Sequence, residues 1–189
     1  MATELAIYSA LAEAGQESAG YEHLLYPLDS FEEQGPNGTH RVLVYIPMGG
    51  TVTHMAARVA RTSGGRGTEP FRYPMWLAKR ILKHTLLGLD CLHGRGIVHG
   101  DLHPGSLLFS VRGLNEVEEA NLRQDAKEAS RPLVRKDGKA DIWAPRYLVL
   151  WEQVTRFVDL GREAHVRISE FGSGGCRQAL PGTVLSSMC

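Results

Sequence analysis

The stretch that most limits how this chain can fold runs from residue 81 to residue 109, ILKHTLLGLDCLHGRGIVHGDLHPGSLLF. It opens as an amphipathic helix. Ala78, Ile81, Leu82, Thr85, Leu86, Leu89 and Leu92 recur at steps of three and four residues, while Lys79, Arg80, Lys83, His84 and Asp90 fall outside that stripe. Gly94 and Gly96 follow, and glycine ends helices because it enters the left-handed conformation at little cost. The apolar pair Ile97-Val98 leads into a polar loop, His99-Gly100-Asp101-Leu102-His103-Pro104-Gly105-Ser106. A second apolar run, Leu107-Leu108-Phe109, comes next. The spacing thus predicts a helix, a tight polar loop and a short strand in direct succession.

That succession resembles the catalytic loop of the protein-kinase superfamily, H-R-D-L-x-x-x-N. The resemblance implies that Asp101 is the catalytic base, which orients the attacking hydroxyl and accepts its proton. His103 stands where protein kinases carry a lysine near the γ-phosphate, and Ser106 where they carry the asparagine that holds one Mg²⁺. Gly100 replaces the usual arginine, so control through an arginine-bound activation-loop phosphate is not expected. Further on, His165-Val166-Arg167-Ile168-Ser169-Glu170-Phe171-Gly172 alternates polar and apolar residues as a strand does and turns at Gly172. It resembles the VKISDFG strand and metal-binding turn, with Glu170 in the aspartate's place. Glutamate offers the same hard oxygens but adds a methylene, and Mg²⁺ demands near-ideal octahedral geometry. Weakened metal binding is expected.

Residues 3–14 read as a helix with Leu5, Ile7, Tyr8 and Leu11 as its apolar positions. Leu24–Phe31 and Arg41–Ile46 read as strands, and Gly35-Pro36-Asn37-Gly38 between them is turn chemistry, which predicts an antiparallel hairpin. Pro47-Met48-Gly49-Gly50 is read as the end of the second strand. The sequence LLYPLDSFEEQGPNGTHRVLVYIPMGG is similar to the corresponding region of SR-protein kinases and their fungal relatives, which carry LLDxF…GPNGxH…LVFExxG. This likeness implies that Glu4 pairs the ATP-positioning lysine and that Tyr45 is the gatekeeper. It also implies that the Ile46 carbonyl and the Met48 N–H meet the adenine edge, with Leu108 facing the base. The resemblance covers roughly residues 4–175.

Between these motifs, Thr53–Arg61 reads as a short helix and Ser63–Gly67 as a surface linker. The glycine run there follows the hinge and precedes no strand, so it is not a phosphate loop. After Phe109 a long insert begins. Asn115–Glu118 has capping-box spacing and predicts a charged helix to about Ala129. Arg131, Arg135, Lys136 and Lys139 form a basic cluster broken by Asp137, read as a solvated loop in preference to a docking site for an acidic partner. Tyr147–Leu150 reads as a short strand or buried turn. His93, His99 and His103 are not read as a zinc site. His99 and His103 flank a turn containing Pro104, and no Cys or Glu completes a ligand set at standard spacing.

Composition narrows the remaining classes. With 21 basic and 21 acidic residues in 189, the net charge is zero, and no global field favours nucleic acid or a membrane surface. Three cysteines, odd in number and without a C-x-x-C pair, favour a reducing compartment. No run approaches the length of a membrane span, and the N-terminus lacks a continuous apolar segment. A cytoplasmic and/or nuclear location is expected.

The expected fold class is α+β, a partial protein-kinase-like fold. Residues 1–50 form a small-lobe remnant, 51–110 the start of the large lobe with the catalytic loop, and 111–163 a charged insert. Residues 164–175 form the metal-binding strand and turn, and 176–189 a tail. The resemblance implies transfer of the γ-phosphoryl group of ATP to protein serine or threonine, with ATP and Mg²⁺ as cofactors and a protein as substrate or partner. No G-x-G-x-x-G loop or V-A-I-K lysine precedes Glu4, and no A-P-E follows Gly172. The domain is therefore read as truncated at both ends, with little or no turnover and part of the Ile81/Leu82/Thr85/Leu86/Leu89 stripe exposed. Two alternatives stay open: a non-catalytic interaction module, and a small-molecule phosphotransferase of the aminoglycoside- or choline-kinase style, whose loop is H-G-D-x-x-x-x-N.

Overall fold

The computed structural model describes residues 2–13, 20–35, 38–62, 72–123, 125, 129–139, 147–149 and 154–176. The expectations for the Ser63–Gly67 linker and the tail beyond residue 176 lie outside the described residues. The chain has the α+β architecture expected of a partial protein-kinase-like fold, with helices packed on small antiparallel sheets.

Helix α1, Ala2–Glu13, buries Ile7, Tyr8 and Leu11, the residues whose spacing marked it as a helix. A single helical turn, Tyr21–His23, follows. Strand β1 is Asp29–Gly35, not the predicted Leu24–Phe31. The reason is a division of labour. Leu24 and Leu25 are buried, and the Leu25 N–H donates to the Ile168 carbonyl at 2.8 Å, so this apolar pair belongs to the core. Pro27 then interrupts the run, having no N–H for a ladder. β1 is held instead by its hairpin with β2, Gly38–Val44, in a register running from Asp29↔Val44 to Gly35↔Gly38. An exposed Arg41–Glu32 pair at 2.7 Å crosses the two strands.

β2 ends at Val44, and the chain becomes extended again as β3, Met48–Thr51, where only a strand end was predicted. The Gly49-Gly50 pair permits this. A Cβ on Gly49 would lie 2.1 Å from Val158 Cγ2 and 3.1 Å from the Phe109 carbonyl oxygen, so no larger residue fits. Thr51 then accepts the His54 N–H on its hydroxyl at 3.1 Å, capping helix α2, Val52–Thr62.

Helix α3, Met75–His93, ends where the two glycines predicted and begins three residues before the Ala78–Leu92 stripe, but its buried face is rotated. Leu77, Ile81, His84, Thr85, Gly88, Cys91 and Leu92 face inward, whereas Leu82 and Leu86 are 61% and 65% exposed. His84, read as part of the polar face, is buried at 8% exposure. What decides this is the neighbour: the Tyr21–His23 turn and strand β8, Val166–Ile168, pack on the His84/Gly88 side. Gly94 stays in the right-handed region, and Gly96, at φ +69°, makes the left-handed stop.

The apolar pair before the polar loop is itself a short strand, β4, Ile97–Val98, and strand β5, Leu107–Ser110, follows the loop as the pattern predicted. The central sheet has the order β3-β5-β8, all antiparallel, with Phe109 opposite Val166 and Leu107 opposite Ile168. Of the predicted charged helix to Ala129, the described residues show a turn at Leu114–Glu116 and a four-residue helix α4, Glu119–Leu122, which ends at the extended Arg123. Ala129 is again helical, its N–H donating to the Asp125 carbonyl at 2.7 Å. Strands β6, Ser130–Pro132, and β7, Tyr147–Val149, form a hairpin, which agrees with the short strand read at 147–150. The basic cluster is exposed just beyond β6, and Arg135 makes a bidentate pair with Asp137 at 2.9 and 2.7 Å. β9, Gly175–Cys176, pairs with β4.

The core lies between α1, α3 and the central sheet, around Ile7, Leu11, Leu24, Leu92, Phe109, Ile168 and Phe171, each fully buried. No described helix is long and apolar enough to cross a membrane.

Candidate active site

The polar loop 99–106 is clamped onto the segment that follows β8. His99 is buried; its Nε2 donates to the Ser169 carbonyl at 2.8 Å and its Nδ1 accepts the Asp101 N–H at 3.3 Å, which fixes its tautomer. The Ser106 carbonyl in turn accepts the Ser169 N–H at 2.8 Å and the Ser169 hydroxyl at 2.9 Å. Ser106 itself is fully buried. Its hydroxyl donates to the His103 carbonyl at 2.8 Å and accepts the His103 N–H at 3.2 Å. Those two bonds close the turn, so a metal-ligand role for Ser106 would compete with both.

Gly100 has a backbone reason for its identity. It sits at φ +83°, and a Cβ there would lie 2.1 Å from the Ser173 carbonyl oxygen. An arginine, as in the family pattern, would be excluded by sterics at this approach of the two loops.

Glu170 is the one non-glycine residue among those described with positive φ, at 66°. The left-handed region disfavours a residue with a Cβ by about 1–2 kcal/mol, and such strain collects at functional positions. The exposed Glu170 carboxylate lies 3.9 Å from His103 Nε2, and the exposed Asp101 carboxylate lies 4.0 Å from the same nitrogen. His103 Nδ1 accepts the Gly105 N–H at 2.9 Å. The neutral ring therefore keeps its proton on Nε2, the nitrogen that faces both carboxylates. Exposed contacts at this distance contribute little to stability. Chemically, the arrangement offers two sets of hard oxygen ligands or proton acceptors with one N–H donor between them.

Behind this cluster, Phe171 is fully buried and packs edge-on against Tyr8 at 5.7 Å and near His99 at 5.4 Å. Tyr8 shares a 2.8 Å hydrogen bond with the Tyr45 hydroxyl and donates to Glu4 Oε1 at 3.1 Å. Burial, with the hydrogen bond to Tyr45, pushes the Tyr8 phenol well above its usual range; burial also raises Tyr45. Both stay protonated and act as neutral donors or acceptors. Helix α1 thus connects Glu4 to the Glu170 turn through Tyr8 and Phe171.

The remaining predicted positions line the sheet. Met48 lies opposite Ser110, Leu108 is half-buried opposite Thr51 and Arg167, and Ile46 is half-buried between β2 and β3. Asp101, His103 and Glu170 are brought together. Glu4, on α1, accepts the Tyr8 hydroxyl and is not brought to this cluster. A cavity of about 330 Å³ opens between α1 and residues 26–30, lined in part by Leu5, Tyr8, Tyr26 and Asp29, and none of the loop residues 99–106 lines it.

One cluster had no signal in the sequence. His23, His84 and His165, far apart along the chain, stack with ring centroids 4.2 Å (His23–His84) and 4.7 Å (His23–His165) apart. Burial lowers the pKa of all three, with His84 and His165 pushed down to about 4. No local spacing connects these positions; only the packing of α3 on β8 joins them.

No family model matches the chain. It is similar to the serine/threonine-protein kinase SKY1 of Saccharomyces cerevisiae, at 34% identity over 133 residues, which is 68% of this chain and 17% of that protein. It is also similar to the protein kinase dsk1 of Schizosaccharomyces pombe, at 30% over 109 residues, 57% of this chain and 18% of the relative. A serine/threonine protein kinase of Aspergillus fumigatus matches at 30% over 122 residues, 62% of this chain and 28% of the relative. The chain spans less than a third of the length of each of these three relatives, at 17%, 18% and 28%. The clamped His99–Ser106 loop, the strand and turn that carry Glu170 and these relatives agree: the chain belongs to the protein-kinase superfamily, as a partial serine/threonine-kinase domain of the fungal SR-protein-kinase-like type.

Proposed function

We propose that this chain binds Mg·ATP and supports slow transfer of the γ-phosphoryl group to a serine or threonine hydroxyl of a protein. The observation that carries this reading is the convergence of Asp101 and Glu170 on His103, at 4.0 and 3.9 Å, at the end of a rigidly clamped loop. Asp101 accepts the proton of the attacking hydroxyl as the new O–P bond forms and the bond to the β-phosphate oxygen breaks, releasing ADP. His103, with its proton on Nε2, donates to a γ-phosphate oxygen where relatives of the usual pattern place a lysine. Glu170 would hold Mg²⁺, which when bound neutralises charge on the phosphate oxygens. Ser106 would be a poor second ligand because its hydroxyl closes the His103 turn. Ile46 and Met48 would meet the adenine edge and Leu108 its face; Glu4 stands at the position that pairs the ATP-positioning lysine in the family, a lysine this sequence does not contain before it.

Slow turnover follows from one strained glutamate and one engaged serine in the two metal positions. The test is incorporation of labelled phosphate from γ-labelled ATP into serine- and threonine-containing peptides. Asp101→Asn is expected to lower the rate on the order of 100-fold or more; equal rates in the variant and the parent would remove Asp101 from the reaction.

A second reading, a non-catalytic interaction module, is favoured by the exposure of Leu82 and Leu86 on α3. It requires a protein whose stability ignores Mg·ATP, and a nucleotide-dependent rise in Tm excludes it as the sole role.

A further inference from the structure

β8 is an edge strand of the central sheet, and two histidines satisfy the outward-facing polar groups of Val166. His84 Nδ1 accepts the Val166 N–H at 3.2 Å, and His23 Nδ1 donates to the Val166 carbonyl at 3.3 Å. These bonds set opposite tautomers. Neutral His84 must carry its proton on Nε2 and has no second lone pair to give. Neutral His23 carries its proton on Nδ1, so its Nε2 is bare. The third ring, His165, meets the Ser110 hydroxyl through Nδ1 at 3.1 Å. That hydroxyl can accept as well as donate, so the Nε2 of His165 can also be bare.

The bare nitrogens face a carboxylate. Glu22 Oε1 lies 3.7 Å from His23 Nε2, and Glu22 Oε2 lies 3.8 Å from His165 Nε2. One ligand atom from each of the three histidines lies within 4.8 Å of the others. In a tetrahedral site with metal–nitrogen bonds of 2.0–2.1 Å, neighbouring ligand atoms sit about 3.4 Å apart. Each Glu22 oxygen is within about 0.5 Å of that spacing from a different ring, Oε1 from His23 and Oε2 from His165, while the two rings' ligand atoms have still to draw together. A carbonyl or hydroxyl holds the far nitrogen of each donor ring, the arrangement that orients metal-binding imidazoles. Glu22 is exposed, which leaves a path from solvent.

We propose that His23, His165 and Glu22 form a site for a divalent transition metal of the zinc class, with His84 stacked behind His23 and not itself a ligand. Imidazole nitrogens with one carboxylate suit Zn²⁺, Co²⁺ or Ni²⁺ and not Mg²⁺, so this site is chemically separate from the Asp101–Glu170 cluster. The rings of His23 and His165 stack at 21°, so binding turns the partly exposed His165 ring out of that stack. A metal here would tie the turn after α1 to the start of β8, which leads into the Glu170 turn.

The test uses the whole chain after treatment with chelator. Thermal melts with Zn²⁺, and visible absorption with Co²⁺, are expected to show saturable binding of one metal per chain and a raised Tm. Glu22→Ala, at an exposed position, and His165→Gln are each expected to weaken Zn²⁺ binding at least tenfold. His84→Gln, which keeps an acceptor for the Val166 N–H, is expected to bind as the parent does. Absence of one-to-one binding in the parent overturns the site. Binding unchanged in Glu22→Ala and His165→Gln does so too, since it would place the metal elsewhere, on a cysteine for example. Loss of binding in a folded His84→Gln overturns the assigned role of His84.

Discussion

Glu170 and Gly100 show at single positions how the loop cluster is built. Glu170 holds a left-handed backbone that its Cβ disfavours, and its carboxylate ends 3.9 Å from His103. Replacing it by glycine removes the steric penalty, so Glu170→Gly is expected to raise the stability by about 1 kcal/mol, read as a higher urea midpoint, while abolishing any Mg²⁺-dependent effect of ATP. Glu170→Asp shortens the side chain by one methylene and is expected to tighten Mg·ATP binding; titration showing no gain would place the metal elsewhere. At Gly100, both the positive φ and the Ser173 carbonyl oxygen oppose a side chain. Gly100→Ala is expected to lower stability by more than about 2 kcal/mol, read as a shifted denaturation midpoint with unchanged slope. The kinase-like loop and strand-turn singled out Asp101, His103 and Glu170 in the sequence, and the fold brings these three side chains together. The need for Gly100 was not legible, because it arises from a carbonyl 73 residues away in the chain, at Ser173.

Helix α3 shows what periodicity can and cannot say about an element. That a helix forms here and where it stops follow from steps of three and four that end at two glycines. Its inward face does not, since any reading by hydropathy prefers Leu82 and Leu86 to His84. The packing against β8 inverts that preference by giving His84 a backbone N–H to accept and Gly88 a close neighbour. A Cβ on Gly88 would sit 2.8 Å from Ile168 Cδ1 and 3.2 Å from the His23 carbonyl oxygen, so Gly88→Ala is expected to destabilise the protein by about 1–3 kcal/mol. The histidines also set a pH dependence. Burial pushes His84 and His165 down to about 4 in the folded state, against about 6.5 in the unfolded chain. The unfolded state therefore binds more protons between these values. With chelator present, stability is expected to be fully retained above pH 6.5 and to fall as the pH drops toward 4, by at most about 1.4 kcal/mol per pH unit for each group. Melts across that range read this directly, and a flat profile would show that the rings are protonated as easily folded as unfolded.

Across the whole molecule, one core joins the segments proposed to act in phosphoryl transfer. Phe171 packs on Tyr8 from α1 and near His99 from the loop, so the helix with Glu4, the loop that carries Asp101 and the Glu170 turn share one buried contact. The α+β plan and the central order of elements were legible from the helix–loop–strand succession and the GPNG turn. The placement of β1 and the extra strand β3 were not. Leu24-Leu25 was drawn into a core built from distant residues, and Gly49 fitted against Val158. The most direct measurement is the thermal melt of the purified protein with Mg·ATP, with ATP plus chelator, and with neither, run beside Glu170→Ala. A cooperative transition that rises only with Mg·ATP and fails to rise in the variant is expected, because a ligand bound only by the native state stabilises it by mass action. A melt blind to Mg·ATP, or an equal rise in Glu170→Ala, would contradict a metal–nucleotide site at Asp101 and Glu170.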